Sequence, residues 1–194
     1  MRKQRGIVLL VSLVLLIMVL LLGVSAAQLC LQGEKAARAE RDRDVAFLTA
    51  EDALADAERD IRASNDPSRR AAFEGEDAFG ATCGAGGVGL RLRAAAGEKA
   101  VWQVVDLSGV ADDGACTVMH GAYTAAALPT GEGFLPFKKP RYLIERMECH
   151  QPGDDASASA RPQYCYRVTA IGFGAKQGTD VVLQSVFSKP EEKP

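Results

Sequence analysis

Hydrophobic side chains fill the chain from Ile7 to Ala27, with only Ser12, Gly23 and Ser25 set among the aliphatic residues. A helix of that length crosses a hydrocarbon core of roughly 30 Å. Beyond Gln28 the pattern changes without ending: Phe47, Ala50, Leu54, Ala57 and Ile61 recur at alternating steps of three and four, which puts them on one helical face. Glu34, Arg38, Arg41, Asp52, Glu58 and Arg62 fall on the other faces, solvated or paired one turn apart. No proline precedes Pro67, and Ser64-Asn65-Asp66-Pro67 reads as a stop. The pattern therefore predicts one helix from Ile7 to Ala63, ~85 Å long at 1.5 Å per residue. Its first half suits a membrane or a bundle of like helices, and its second half suits packing under a domain. Gly23 is a point where such a helix can bend or melt.

The remaining pattern is short and strand-like. Pro67 to Gly89 reads as loop, with a short helix around Ser68 to Phe73. Leu90 to Arg93, Ala100 to Asp106 and Cys116 to Tyr123 are candidate strands separated by turns at Ser108-Gly109 and Asp112-Asp113-Gly114. Ala126 to Lys139 is rich in Gly and Pro and reads as irregular. Arg141 to Cys149, Gln163 to Ile171 and Val181 to Phe187 are three successive strands, and the short glycine-rich link Gly172 to Thr179 suits antiparallel neighbours. Strands that follow a long helix give an α+β architecture, an antiparallel sheet laid on the amphipathic half of that helix.

Composition narrows the function. The chain has 194 residues and a formal net charge of −2. About 160 residues remain outside the apolar segment, enough for a single core. No basic cluster lies outside Arg2, Lys3 and Arg5, so nucleic acid is set aside as a partner. No G-x-S-x-G, H-E-x-x-H or P-loop occurs, and no cofactor is implied. Gly84-Ala85-Gly86-Gly87-Val88-Gly89 matches the dinucleotide fingerprint, but a poor strand precedes it and no convincing helix follows, so it reads as a glycine loop. Asp112-Asp113 and Asp154-Asp155 read as turns rather than calcium ligands, and His120 and His150 as ordinary strand-end residues.

Five cysteines remain. Cys30 reads as a buried small hydrophobe, because Leu29 stands where a lipoprotein signal needs a small residue. Cys83, Cys116, Cys149 and Cys165 form no C-x-x-C pair, which argues against zinc and for two disulfides in an oxidising compartment. Three pairings are open, and Cys149 with Cys165 and Cys83 with Cys116 is the one expected. The former would join adjacent strands and close the loop from His150 to Tyr164, worth about 3 kcal/mol in the chain-entropy model. That loop, with Pro152-Gly153-Asp154-Asp155-Ala156-Ser157, is either a plain connection or a contact surface.

Arg2, Lys3 and Arg5 precede the apolar run and Gln28 to Gly33 carries no charge, so the N-terminus stays cytoplasmic and the rest is exported. Three kinds of segment fit. A cleavable secretory signal would end at Ser25-Ala26-Ala27, but its apolar core is shorter than this one. A plain signal anchor fits length and charge. The third has a basic leader ending in Gly6 that abuts the apolar helix directly, the arrangement a prepilin peptidase cuts on the cytoplasmic side.

Here the chain resembles the PilX-type minor pilins of type IV pili. The resemblance rests on Arg5-Gly6 followed by Ile7-Val8-Leu9-Leu10-Val11, on Arg43 to Leu54 with Asp56-Ala57-Glu58, and on two later blocks. Those are Pro140 to Glu145, then Tyr166 to Ala170 with Gly172, Gly174 and Val181 to Ser185. Residues 70 to 133 are not covered. The resemblance implies a pilin-like fold divided into a leader (1–6), a membrane or fibre-core helix (7–27), an amphipathic half (28–63) and an exported domain (64–194). It implies cleavage after Gly6 and N-methylation of Ile7. Val11 stands where most pilins carry Glu, a carboxylate thought to neutralise a neighbour's terminal ammonium, which points to an initiating or tip-proximal subunit. The implied partners are other minor pilins, the major pilin, the prepilin peptidase, the inner-membrane assembly platform and a tip adhesin. The implied location is the inner membrane with the domain in the periplasm, then the fibre or its tip. Two alternatives stay open: a minor pseudopilin of type II secretion, and an unrelated signal-anchored or secreted periplasmic protein.

Overall fold

The computed structural model describes residues 5–75, 78–84, 87–111, 113–149 and 163–188. The chain forms two compact units, Met1–Arg41 and Asp42–Pro194. The first is the N-terminal part of helix α1 (Arg5–Ala63), whose apolar side chains from Ile7 to Val24 are all exposed. Local polar contacts decorate it: Ser12 and Ser25 donate to carbonyls one turn back, and Arg38 pairs with Glu34. A helix apolar on every side has no preferred inward face within its own chain, so burial must come from lipid or from other helices.

The second unit contains the rest of α1, then α2 (Pro67–Glu74), β1 (Leu90–Leu92), α3 (Val101–Val104), β2 (Val118–Met119), β3 (Arg141–Cys149), β4 (Gln163–Phe173) and β5 (Asp180–Ser188). The sheet runs β1-β3-β4-β5, with β2 also paired to β3. β1 lies parallel to β3, and the remaining pairs are antiparallel. Tyr142 stands opposite Ala170, and Ala170 opposite Leu183. With a period of two, Tyr142, Ile144, Tyr166, Val168 and Ala170 share one face, and they join Ala53, Ala57 and Ile61 of α1 in the core. Phe73 of α2 closes it, meeting Tyr166 edge-on at 5.7 Å between ring centres.

Local chemistry sets the boundaries. α1 ends at Ala63 because Asn65 donates its backbone N–H to Tyr123 and its side-chain amide to Thr124, both at 2.8 Å. Asp66 then caps α2, accepting from the backbone N–H groups of Ser68 and Arg69, with Pro67 in the first turn. The β4–β5 link is held by Gly174 donating to the Thr179 carbonyl at 2.8 Å.

Three expectations are corrected. Ala100 to Asp106 is not a strand; Val101–Val104 makes one helical turn, closed by Val105 N–H donating to Val101, and only Val101 is buried. β1 already occupies the place beside β3, and the segment offers no two-residue alternation of burial to compete for it. Cys116 to Tyr123 shortens to β2, because Asp56 captures the Gly121 N–H at 2.7 Å and turns the chain away. On α1, Phe47 is 42% exposed and Leu54 only partly covered, whereas Ala46, Ala50, Ala53, Ala57 and Ile61 are buried.

The helix turns its alanines inward because the sheet backbone comes too close for larger groups. A Cβ placed on Gly172 would lie 2.2 Å from the Ala46 carbonyl oxygen and 2.3 Å from the Ala50 nitrogen. Gly172→Ala is therefore expected to force β4 and α1 apart and to cost about 1–3 kcal/mol. Urea unfolding of the full chain in mild detergent measures this, with Gly23→Ala, which meets nothing within 4 Å, as the near-neutral control.

Candidate functional site

The buried stripe of α1 carries carboxylates as well as alanines, and these organise the second unit. Asp42, Thr49, Asp56 and Asp60 are buried at helical spacing alongside Ala46, Ala50, Ala53 and Ala57. Asp42 accepts the backbone N–H groups of Ala175 (2.7 Å) and Lys176 (3.1 Å) in the β4–β5 turn. Burial pushes its carboxyl up, but hydrogen bonds from Thr179, Lys176 and Ala175 and the Lys176 charge together hold it below the ordinary value. Thr49 donates to Ala46 and reaches the Phe173 carbonyl at 3.2 Å. Asp56 accepts from Gly121 and from the Thr124 hydroxyl, fixing the loop after β2.

Asp60 is the most heavily used. Arg69 of α2 donates to it through Nε and Nη2, at 3.1 and 2.9 Å from Oδ2, and the Tyr142 hydroxyl donates to the same oxygen at 3.1 Å. Arg69 also donates to the Val88 carbonyl at 2.8 Å and lies over the rings of Phe73 and Tyr123. Burial, then the Asp60 and Asp56 charges, push the Tyr142 phenol well above its usual range and keep it a donor. On the other face of the sheet Glu145 and Arg167, cross-strand neighbours, form a two-pronged pair at 2.9 and 2.6 Å. Arg167 and Arg93 flank an open cleft of about 480 Å³ edged by residues 94–98 and Ala100, but the Arg167 guanidinium is already committed to Glu145.

Gly6 and Ile7 lie in the first turns of α1, and Val11 is an exposed helical position. Cys83 is bonded to Cys116 with Cα atoms 4.7 Å apart, and Cys149 to Cys165 at 5.7 Å. Cys30 is exposed on α1 rather than buried, since nothing in its own unit covers that helix. His120 is buried just after β2, its Nε2 2.9 Å from Asp52 Oδ2 but without hydrogen-bond alignment. Asp113 sits in a turn at φ 52°. Gly89 explains the end of the glycine run: its φ is 67°, and a Cβ there would meet Val118 Cγ2 at 2.6 Å. Leader residues 1–4, Ala85, Gly86, Asp112, His150, Asp154, Asp155 and the Pro152 to Ser157 loop lie outside the described residues. Among the described residues no cluster of three metal-ligating side chains occurs.

The buried carboxylates do not stand out in the sequence because Phe47 and Leu54 draw the helical face toward large residues. The alanine repeat at 46, 50, 53 and 57, with Asp42, Asp56 and Asp60 in phase, was the readable signal.

Two outcomes follow. Asp60→Ala leaves Arg69 charged and buried, and is expected to cost about 3–5 kcal/mol in urea unfolding. The paired replacement Asp60→Leu with Arg69→Met is expected to recover most of that loss. The second concerns acid. Backbone N–H of Ala111, the Ser108 side chain, and the backbone N–H groups of Ser108 and Val110 lower the Asp106 carboxyl from 3.8 to about 2. Its contribution is therefore present above 3.8 and lost as pH falls toward about 2. Asp106→Ala should flatten the thermal-stability profile across that interval and lower stability above it.

The comparisons bear on both units. The PilX N-terminal family model matches residues 5–55, and the model described as Type IV pilus assembly protein PilX C-term matches residues 56–189. No curated protein and no solved structure gives a match. The two family models meet within α1, the helix that carries both the exposed apolar segment and the buried carboxylates. The chain belongs to the PilX family of type IV pilus assembly proteins.

Proposed function

We propose that this minor pilin acts in an initiating or tip-proximal complex of the pilus, and that its role is assembly and contact rather than catalysis. The observation that carries the reading is the pair of ordered family matches over residues 5–189, joined to an apolar helical segment whose side chains nothing in its own unit covers. In this reading residues 1–6 are a leader removed by the prepilin peptidase. Residues 7–27 anchor the chain in the inner membrane and later pack among other pilin helices. Residues 28–63 continue the helix under the exported domain, which spans 64–194.

Cleavage leaves Ile7 as an N-methylated ammonium. From Ile7 to Gly33 the chain carries no ionisable carboxylate that could receive a neighbour's ammonium. A buried charge without its partner is costly, which supports a place at an end of the series rather than in its repeating body. The exported domain then docks with other minor pilins and with the major pilin on the assembly platform. The loop closed by Cys149 and Cys165 is the surface offered to neighbours or to a tip adhesin.

Mass spectrometry of the mature N-terminus, from membranes and from sheared surface material, tests the reading. A chain starting at methylated Ile7 is expected, and Gly6→Asp should leave the leader in place. A chain starting at Gln28, or retaining Met1 when the peptidase is present, would return the protein to the unassigned anchored class.

A further inference from the structure

The two disulfides differ in what surrounds their sulfurs. In each, one cysteine is buried and the other half-buried: Cys116 and Cys165 are 5% and 6% exposed, while Cys83 and Cys149 are partly reachable. Access therefore does not separate the two bonds, but charge does. Arg91 of β1 donates through Nη1 to the Cys83 Sγ at 3.1 Å. Among the described residues no side chain donates to the sulfurs of Cys149 and Cys165.

Among the described residues Arg91 also lacks a carboxylate partner. Its neighbour across the parallel β1–β3 pair is Glu145, and both Glu145 oxygens are taken by Arg167. The Arg91 Nε is buried and makes no hydrogen bond, and Nη2 donates to the Ala81 carbonyl at 2.6 Å. The guanidinium thus faces one neutral carbonyl and one disulfide sulfur, and such a sulfur is a weak acceptor. A thiolate in the same place would be a strong, charge-assisted acceptor and would neutralise the cation. This neighbourhood favours the opened bond, with the negative charge on Cys83.

The backbone keeps Cys83 beside Arg91 whether or not the bond is closed. On one side Leu92 donates to the Gly80 carbonyl at 3.1 Å, next to the Ala81 carbonyl that Arg91 itself holds. On the other side Arg69 holds the Val88 carbonyl at 2.8 Å, and Gly89 donates to Ala115 at 3.3 Å. Opening the disulfide leaves the chain tied at all four of these residues, so exchange needs no unfolding.

We propose that Cys83 is the exchange sulfur of the Cys83–Cys116 disulfide, taking the mixed disulfide with a dithiol oxidoreductase while Arg91 stabilises its thiolate. In the reducing direction a thiolate of the oxidoreductase attacks Cys83 Sγ, the reachable sulfur of the pair. A new S–S bond forms, the Cys83–Cys116 bond breaks, and its electron pair leaves on Cys116, which takes up a proton. The second thiol of the oxidoreductase, once deprotonated, attacks its own sulfur in the mixed disulfide and expels Cys83 as the thiolate beside Arg91. A stabilised thiolate leaves faster. The oxidoreductase has then given two electrons and become a disulfide, and the chain holds two reduced cysteines. Oxidation retraces these steps: Cys83 attacks the oxidised partner, and Cys116 resolves the intermediate.

The test uses the full chain in mild detergent, with glutathione disulfide as the probe and peptide mapping by mass spectrometry to place each adduct. Cys116→Ser leaves Cys83 as the pair's thiol, and Cys83→Ser leaves Cys116. Below neutral pH, Cys83 is expected to react faster than Cys116 by about fivefold or more. Arg91→Gln should slow Cys83 about fivefold and move the midpoint of its pH–rate profile up toward that of an ordinary thiol. Arg91→Lys, which keeps the charge, should hold the lower midpoint. Circular dichroism matching that of the parent chain separates lost charge from lost folding. In the chain with both disulfides intact, graded dithiothreitol should open Cys83–Cys116 before Cys149–Cys165, and Arg91→Gln should remove that order. Adducts formed on Cys116 in preference to Cys83, a Cys83 rate and profile unchanged in Arg91→Gln, or two disulfides that open together in the parent chain would overturn the proposal.

Discussion

The unit from Asp42 onward is organised around the buried pair of Asp60 and Arg69. The two residues lie on successive helices, nine positions apart, and neither side chain is meaningfully exposed. Removing two charges from water is costly, and their attraction offsets that cost only when every donor and acceptor is used well. Here the carboxylate also takes the Tyr142 hydroxyl of β3, and the guanidinium also takes the Val88 carbonyl just before β1. One pair thereby ties α1, α2, the central strand and the loop leading into the parallel edge. An apolar replacement could match its stability, but it would not demand a single relative setting of these four pieces. Such a setting is the use best attested for buried ion pairs.

The same logic repeats along the helix. Asp42 holds the β4–β5 turn, Thr49 touches the end of β4, Asp56 holds the loop after β2, and Asp60 holds Arg69 of α2 and Tyr142 of β3. These polar contacts occur at successive turns and are directional, while the alanines between them permit the close approach that Gly172 requires. A leucine stripe would bury more area, but it would hold the sheet farther away and put these hydrogen bonds out of reach. Small residues and carboxylates on the same stripe are therefore two parts of one packing solution. The disulfides act elsewhere: Cys83–Cys116 ties the glycine-rich loop to the approach to β2, and Cys149–Cys165 closes the β3–β4 connection.

Much of this fold was legible because its strongest signals are local. The unbroken apolar run, the absence of proline before Pro67 and the capping by Asp66 determine the long helix and its stop. β3, β4 and β5 announce themselves through β-branched and aromatic residues with a glycine turn between the last two. What escaped depends on tertiary partners. Val101 to Val104 has strand-like composition, yet it coils because β1 occupies the sheet position beside β3. Phe47 has the right period for a core residue, yet it faces outward because a backbone, not a side chain, lies opposite that part of the helix. The burial of Asp56 and Asp60 depends on Gly121, Thr124, Arg69 and Tyr142, which only the tertiary fold brings to them.

The apolar segment follows a different rule from the domain, since nothing within its own unit satisfies it. Within the domain each buried charge has a partner supplied by the same chain. Between Ile7 and Gly33 no Asp, Glu, Lys, Arg or His side chain occurs, so side-chain association there relies on shape and dispersion. In a series of pilins linked by ammonium and carboxylate contacts, a processed copy of this chain would present a cation at Ile7 and no anion at Val11. It can enter one such contact, where an ordinary subunit enters two. A member with one contact fits at a terminus, and inserting it into the body would leave a neighbour's ammonium unpaired in a medium of low dielectric constant. The absence of one carboxylate would thus limit the subunit's place in the fibre, while the carboxylates of Asp42, Asp56 and Asp60 set the shape of the domain it carries there.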